Sequence, residues 1–88
     1  MTFTARLSSS AIRDLDRVPS RVAPAIIECI YGPLAQDPHR VGKPLLEELD
    51  GYWSARRGDY RILYSTDDGA VDVVVVRVGH RAHVHKVR

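Results

Sequence analysis

Residues 52–66, YWSARRGDYRILYST, decide the fold. Two runs of β-prone residues flank Gly58-Asp59, and a glycine in first place suits a two-residue type II′ turn. That loop sets Arg57 opposite Tyr60, Arg56 opposite Arg61, Ala55 opposite Ile62, Ser54 opposite Leu63 and Trp53 opposite Tyr64. Side chains alternate along a strand. One face then carries Trp53, Ala55, Ile62 and Tyr64, an apolar set that must pack on something. The other carries Ser54, Arg56, Arg61 and Leu63. Arg57 and Tyr60 fall on the core side at the turn end, with their polar tips within reach of water. Arg56 and Arg61 are direct cross-strand neighbours, an arrangement that costs a few tenths to about 1 kcal/mol against a neutral pair. A bound anion reverses that sign, because two guanidinium forks side by side suit a phosphate or carboxylate. The alternative is that each arginine bonds a nearby acid, Asp59 or Asp72.

Working outward, TFTARL (residues 2–7) alternates as a short strand. SSSAIRDLDRV (8–18) offers a serine cap followed by Ala11, Ile12, Leu15 and Val18 at helical spacing, and Pro19 stops that helix. Ser20 is positioned to cap a second helix with an apolar stripe of Val22, Ala23, Ile26, Ile27, Ile30 and Leu34. Pro24 sits in its first turn, and Gly32-Pro33 is expected to kink or end it. Residues 36–51 read as loop, with one helical turn at PLLEEL (44–49). VDVVVVRV (71–78) is the last strand, joined to the hairpin through Asp67-Asp68-Gly69. The predicted order is β-α-α-β-β-β. It describes one small α+β domain spanning 1–88, an antiparallel sheet with a helical hairpin packed on one face.

The single cysteine, Cys29, excludes an internal disulfide framework and fits a reducing cytoplasm. The first residues lack a basic segment followed by a long apolar run, so no signal peptide is expected. No apolar stretch approaches the roughly 20 residues needed to span a bilayer, so no membrane partner is expected either. Net charge is +2, unevenly spread: residues 1–53 hold six basic and seven acidic side chains, residues 54–88 seven basic and four acidic. Arginine supplies eleven of the thirteen basic residues, and its rigid fork suits phosphate and stacks on bases. The C-terminal half therefore leans toward a polyanion partner, with a solvated basic surface as the alternative that charge alone leaves open.

The tail, GHRAHVHKVR (79–88), adds His80, His83 and His85 beside Arg81 and Lys86. Histidine exchanges protons near neutral pH, and histidine beside arginine is what phosphodiester cleavage requires. One group takes a proton from the nucleophile, another gives one to the leaving oxygen, and cations stabilise the transition-state charge. A metal site built on His83 and His85, with His80 as a third ligand, is disfavoured by the cations around it. His39 reads as an exposed histidine with no special role.

VGKPLLEELDGYWSARRGDYRILY (41–64) followed by VVRVGHRAHVHK (75–86) resembles the RelE toxins of bacterial toxin–antitoxin modules, within the RelE/ParE superfamily. The resemblance covers essentially the whole chain. It implies a cytoplasmic toxin that cleaves messenger RNA in the ribosomal A site without metal or other cofactor. The 2′-hydroxyl attacks its own phosphodiester. It further implies a neutralising antitoxin, RelB-like or Phd/YefM-like, and contact with operator DNA only through the toxin–antitoxin complex.

By the same resemblance, Arg56, Arg61 and Arg81 match the family's active-site cations, and His85 occupies the place of a C-terminal tyrosine used in or beside the acid–base step. Ser54 stands where well-studied members carry a lysine. Arg61 would bind the scissile phosphate and Arg81 would stabilise developing charge. Arg56 would ease deprotonation of the 2′-hydroxyl or contact a flanking phosphate. His85 would act as acid or base, with His83 or His80 in reserve, and Ser54 and Lys86 complete the RNA-binding set. Two other readings stay open: a ParE-like DNA gyrase poison without nuclease chemistry, and an inactive module that only binds antitoxin and operator.

Overall fold

The computed structural model describes residues 2–45 and 51–80. In chain order the elements are β1 (Thr4–Leu7), α1 (Ser9–Arg17), α2 (Ala23–Cys29), a π-helical segment (Ile30–Leu34), α3 (Pro38–Val41), β2 (Lys43–Pro44), β3 (Trp53–Arg57), β4 (Tyr60–Asp67) and β5 (Asp72–His80). The five strands form one sheet in the order β1-β5-β4-β3-β2. The helices supply Ala11, Val18, Ile26, Ile30 and Leu34 to a core shared with Ala55, Ile62, Tyr64, Val73, Val75 and Val78 of the sheet.

The β3–β4 hairpin closes in the register expected from its sequence, from Trp53 opposite Tyr64 to Arg57 opposite Tyr60. Gly58 has φ +62° while Asp59 is not among the positive-φ residues, as a type II′ turn requires. The two faces separate largely as alternation dictates: Ala55, Ile62 and Tyr64 are buried and Trp53 packs against them. Leu63 departs from expectation. It lies on the opposite face yet is only 2% exposed, flanked on the middle strand by Ser54 on one side and Arg77 on the other.

Four other features differ from the sequence reading. The sheet is mixed: β1 lies parallel to β5, while the remaining pairs are antiparallel. Periodicity assigns faces but not neighbours or directions, so this pairing between the first and last strands was invisible locally. Ser20 does not cap α2; its N-cap is Val22, which makes no side-chain cap bond. Gly32-Pro33 does not end the second helix. The chain widens into the π segment there, with Pro33 inside it, an accommodation of the missing amide hydrogen and the ring. The β4–β5 turn falls at residues 68–71, with the Asp67 carboxylate accepting from the Ala70 amide at 3.1 Å. Val71 closes it at φ +57°, unusual for a β-branched residue. Its carbonyl accepts from Thr4 N at 2.8 Å, which ties the strained turn to β1.

Of the segment 36–51, α3 and β2 are additions to the reading. Pro44, the expected start of a helical turn at PLLEEL, instead belongs to β2, where β3 pairs with it, and residues 46–49 of that turn lie outside the described residues.

Tyr64 links α3 to the sheet. It is fully buried, and its hydroxyl donates to the Pro38 carbonyl at 2.6 Å. Burial pushes its ionisation up to about 12. Gly42 exists here for space: a Cβ would overlap the Tyr64 hydroxyl and come 2.9 Å from the Ser54 carbonyl oxygen. Gly42→Ala should therefore cost about 1–3 kcal/mol in urea unfolding, and adding Tyr64→Phe should recover part of the loss by removing the overlapping oxygen. Because the folded-state value of Tyr64 lies above that of an unfolded tyrosine, its contribution is complete below pH 10 and is lost as pH rises toward about 12. Tyr64→Phe should flatten that alkaline fall in stability.

Candidate functional site

The register places Arg56 directly opposite Arg61, and Arg61 directly opposite Gly79 of β5. Arg56 is exposed, and its Nε donates to the Gly58 carbonyl at 2.9 Å, which lays the side chain back along the turn. Arg61 is half-buried. Its Nε is fully buried and has no hydrogen-bond partner. The ion pairs among the described residues are Arg6–Asp72 (3.6 Å), His39–Asp68 (3.1 Å) and Arg77–Asp14 (2.8 Å). Asp72 thus serves Arg6, and neither it nor Asp59 neutralises the arginine pair. An unmet buried donor costs about 1–3 kcal/mol, more when charged. Such an orphan, beside a second cation, marks where an acceptor from outside would be most effective.

The helix-side rim is different. Arg57 turns toward α2 and lines a cleft of about 320 Å³ with Ala25, Glu28, Cys29 and Pro33, which Arg56, folded back along the turn, also borders. Burial raises the Cys29 thiol's ionisation, and the Arg57 charge partly opposes this. Tyr60 sits opposite His80, and their rings meet edge to face at 5.8 Å. Tyr60 therefore has the packing role that its position at the core's rim suggests.

Ser54 lies on the Arg56 face, between Lys43 of β2 and Leu63 of β4. Arg81, His83, His85 and Lys86 lie outside the described residues. Among the described residues no group of three or more His, Cys, Asp or Glu side chains is arranged to hold a metal ion, and no helix is long and apolar enough to cross a membrane. His39 is exposed, but it does structural work. Its ring stands edge-on to Phe3 (5.9 Å) and Trp53 (5.0 Å) while Nε2 approaches Asp68.

Two charged residues escaped the sequence reading. Arg77 interrupts a run of valines, and strict alternation from Val73 and Val75 would aim it into the core. A register shift between Leu63 and Tyr64 prevents this: Tyr64 pairs with Val75 but Leu63 with Arg77, so Val76 is the extra residue of a bulge. Val78 returns to the core and Arg77 moves to the Leu63 face. From there its side chain meets Asp14 of α1, with Nε–Oδ2 at 2.8 Å and Nη2–Oδ1 at 3.2 Å. Oδ2 also accepts from the Val78 amide at 2.9 Å. The hydrogen bond that Arg77 donates to Asp14 raises the ionisation of the guanidinium further above its already high range. The broken alternation at 77 was the available signal. Lys43 gave none, since β2 has only two residues and no period to read.

Comparison with known proteins places these features in context. A model of the ParE toxin of the type II toxin–antitoxin system parDE matches residues 5–85. Toxin RelG of Mycobacterium tuberculosis is 48% identical over 86 residues, covering 98% of this chain and 99% of that protein. Toxin RelE of the same organism is 43% identical, covering 92% and 84% respectively. Among solved structures, the toxin–antitoxin complex RelBE2 from M. tuberculosis superposes with a TM-score of 0.90 at 49% identity, over 93% of this chain and 94% of that one. A mutant of the E. coli toxin RelE in the free state shares the fold at a TM-score of 0.77 and 20% identity, over 99% and 90% of the chains.

Asp14→Ala removes three accepted hydrogen bonds and strands the Val78 amide, so it should cost about 2–4 kcal/mol in urea unfolding. Adding Arg77→Met should cost little more than Asp14→Ala alone, because the two side chains share the same contacts.

Proposed function

The chain belongs to the RelE/ParE superfamily of type II toxin–antitoxin toxins, and from that premise we propose that it is a ribosome-dependent endoribonuclease cleaving messenger RNA in the A site. The observation that supports this most is the pair Arg56 and Arg61, held side by side with no acid between them and with Arg61 Nε buried and unmet. In this reading a scissile phosphate satisfies Arg61 and removes the repulsion within the pair.

The 2′-oxygen attacks phosphorus and the bond to the 5′-oxygen breaks, leaving a 2′,3′-cyclic phosphate and a 5′-hydroxyl. One proton leaves the 2′-hydroxyl and one reaches the 5′-oxygen. His85 takes one of these transfers, with His83 or His80 in reserve. Arg81 stabilises charge on the phosphoryl or leaving oxygen, and Arg56 lowers the cost of forming the 2′-oxyanion or holds a flanking phosphate. Lys86 and Ser54 contact RNA. The ribosome positions the RNA, and no step is routed through a metal or other cofactor.

The toxin acts in the cytoplasm, where a cognate antitoxin silences it by covering the basic face. The solved relatives in complex with their antitoxins support that partner. Operator DNA is reached only through that complex. A second reading, poisoning of DNA gyrase without nuclease chemistry, draws on the family model being that of ParE.

Controlled induction with mapping of messenger RNA 5′ ends, alongside DNA supercoiling, separates the two. Cuts in frame within translated codons are expected; a supercoiling defect with intact transcripts would establish the gyrase reading instead. Arg61→Ala and Arg81→Ala should abolish most cleavage, and cutting by these variants as good as the parent's would remove them from the site. His85→Gln should lower cleavage at least about tenfold, the low side of an acid–base contribution.

A further inference from the structure

The face that carries Arg56 and Arg61 extends beyond the hairpin. Lys43 of β2 is the direct cross-strand partner of Ser54. Residues directly opposite one another put their side chains on the same face, and the next residue but one along the partner strand is a diagonal neighbour about 7–8 Å away. Lys43 therefore shares the face with Arg56 and is its diagonal neighbour, while Arg56 and Arg61 are direct neighbours. The three cations come from three successive strands.

Arg77 lies on this face too, but Asp14 neutralises it. Lys43, Arg56 and Arg61 take part in none of the ion pairs among the described residues. Lys43 is exposed and position 54, between it and β4, holds a small uncharged side chain. A flexible ammonium beside a serine leaves space above the strands that a sugar–phosphate backbone can occupy, with the ammonium acting as a point charge on phosphate.

We propose that Lys43 is an RNA-binding residue of this toxin, holding the phosphate adjacent to the one gripped by Arg56 and Arg61, so that the RNA backbone crosses the strands from β2 toward β5. The inference rests on the nuclease reading of the same face. It adds a contact on a different strand, at the place where the hairpin itself offers only Ser54.

The test measures affinity of the purified toxin for a short fluorescein-labelled single-stranded RNA by anisotropy across a salt series. Each phosphate contact contributes about 0.7 to the slope of log affinity against log salt for a single strand. Lys43→Gln should weaken binding several-fold and lower the slope by about 0.7, and Lys43→Arg should restore both. Arg21→Gln, which removes one exposed charge from the α1–α2 connection, controls for net charge and should leave the slope nearly unchanged. Lys43 is exposed, and among the described residues its side chain makes no hydrogen bond or ion pair, so circular dichroism should show Lys43→Gln folded like the parent.

If Arg61→Ala lowers the slope but Lys43→Gln does not, this inference is overturned and the arginine clamp stands. If Arg61→Ala, Arg56→Ala and Lys43→Gln all leave the slope at the parent value, the RNA reading of the whole face falls, and this inference with it. If Lys43→Gln spares the RNA slope but weakens antitoxin binding, Lys43 belongs to a protein interface and the proposal is wrong.

Discussion

β5 runs past the end of its parallel partner, and what happens along that unpaired stretch controls the rest of the molecule. β1 pairs with β5 only through Val75. Beyond that point the backbone of β5 would present open donors and acceptors to water or to another chain, a liability in any sheet. Helix α1 closes the gap. Its N-cap residue Ser8 donates through Oγ to the Val76 carbonyl at 2.9 Å and accepts from Ala11 N at 3.0 Å, so one hydroxyl serves both helix and sheet. One turn and a half further on, Asp14 receives the Val78 amide. The helix behaves as a surrogate strand, and its position on the sheet is fixed by hydrogen bonds as well as by the burial of Ala11 and Val18.

The Val76 bulge makes that arrangement possible. Without the extra residue, Arg77 would enter the core and Val78 would face away from it. With it, the arginine reaches Asp14 and the valine stays buried. The guanidinium is spent on structure, which is why the face retains only some of its cations as free charge. A buried carboxylate with one arginine and one backbone amide is well satisfied, whereas Arg61 Nε is not. That contrast between a completed and an incomplete cation separates Arg77 from Arg61 on one sheet surface.

Much of the fold was legible because local rules and packing agree in the hairpin. Gly58 permits the positive φ that its turn needs, and a two-residue loop leaves one register for the flanking strands. The Arg56–Arg61 pairing followed from that register alone. The first helix, from its serine cap to its end before Pro19, was equally plain. Elements whose form depends on distant partners were not. The π segment exists because the helix continues across Gly32-Pro33 under tertiary packing of Ile30 and Leu34. The two residues of β2 count as a strand only because β3 is beside them.

The sequence by itself determined which side chains share a face of the hairpin, the existence of the two amphipathic helices, and the concentration of arginine and histidine in the C-terminal half. These are consequences of period, turn chemistry and composition, all of which act over a few residues. The tertiary structure decided the parallel docking of β1, the bulge that turns Arg77 outward, the union of Asp14 with a strand 63 residues away, and the arrival of Lys43 beside Ser54. Each of these depends on which strand lies next to which, and hydrogen-bond pairing between segments distant in sequence leaves no trace in the local alternation of either one.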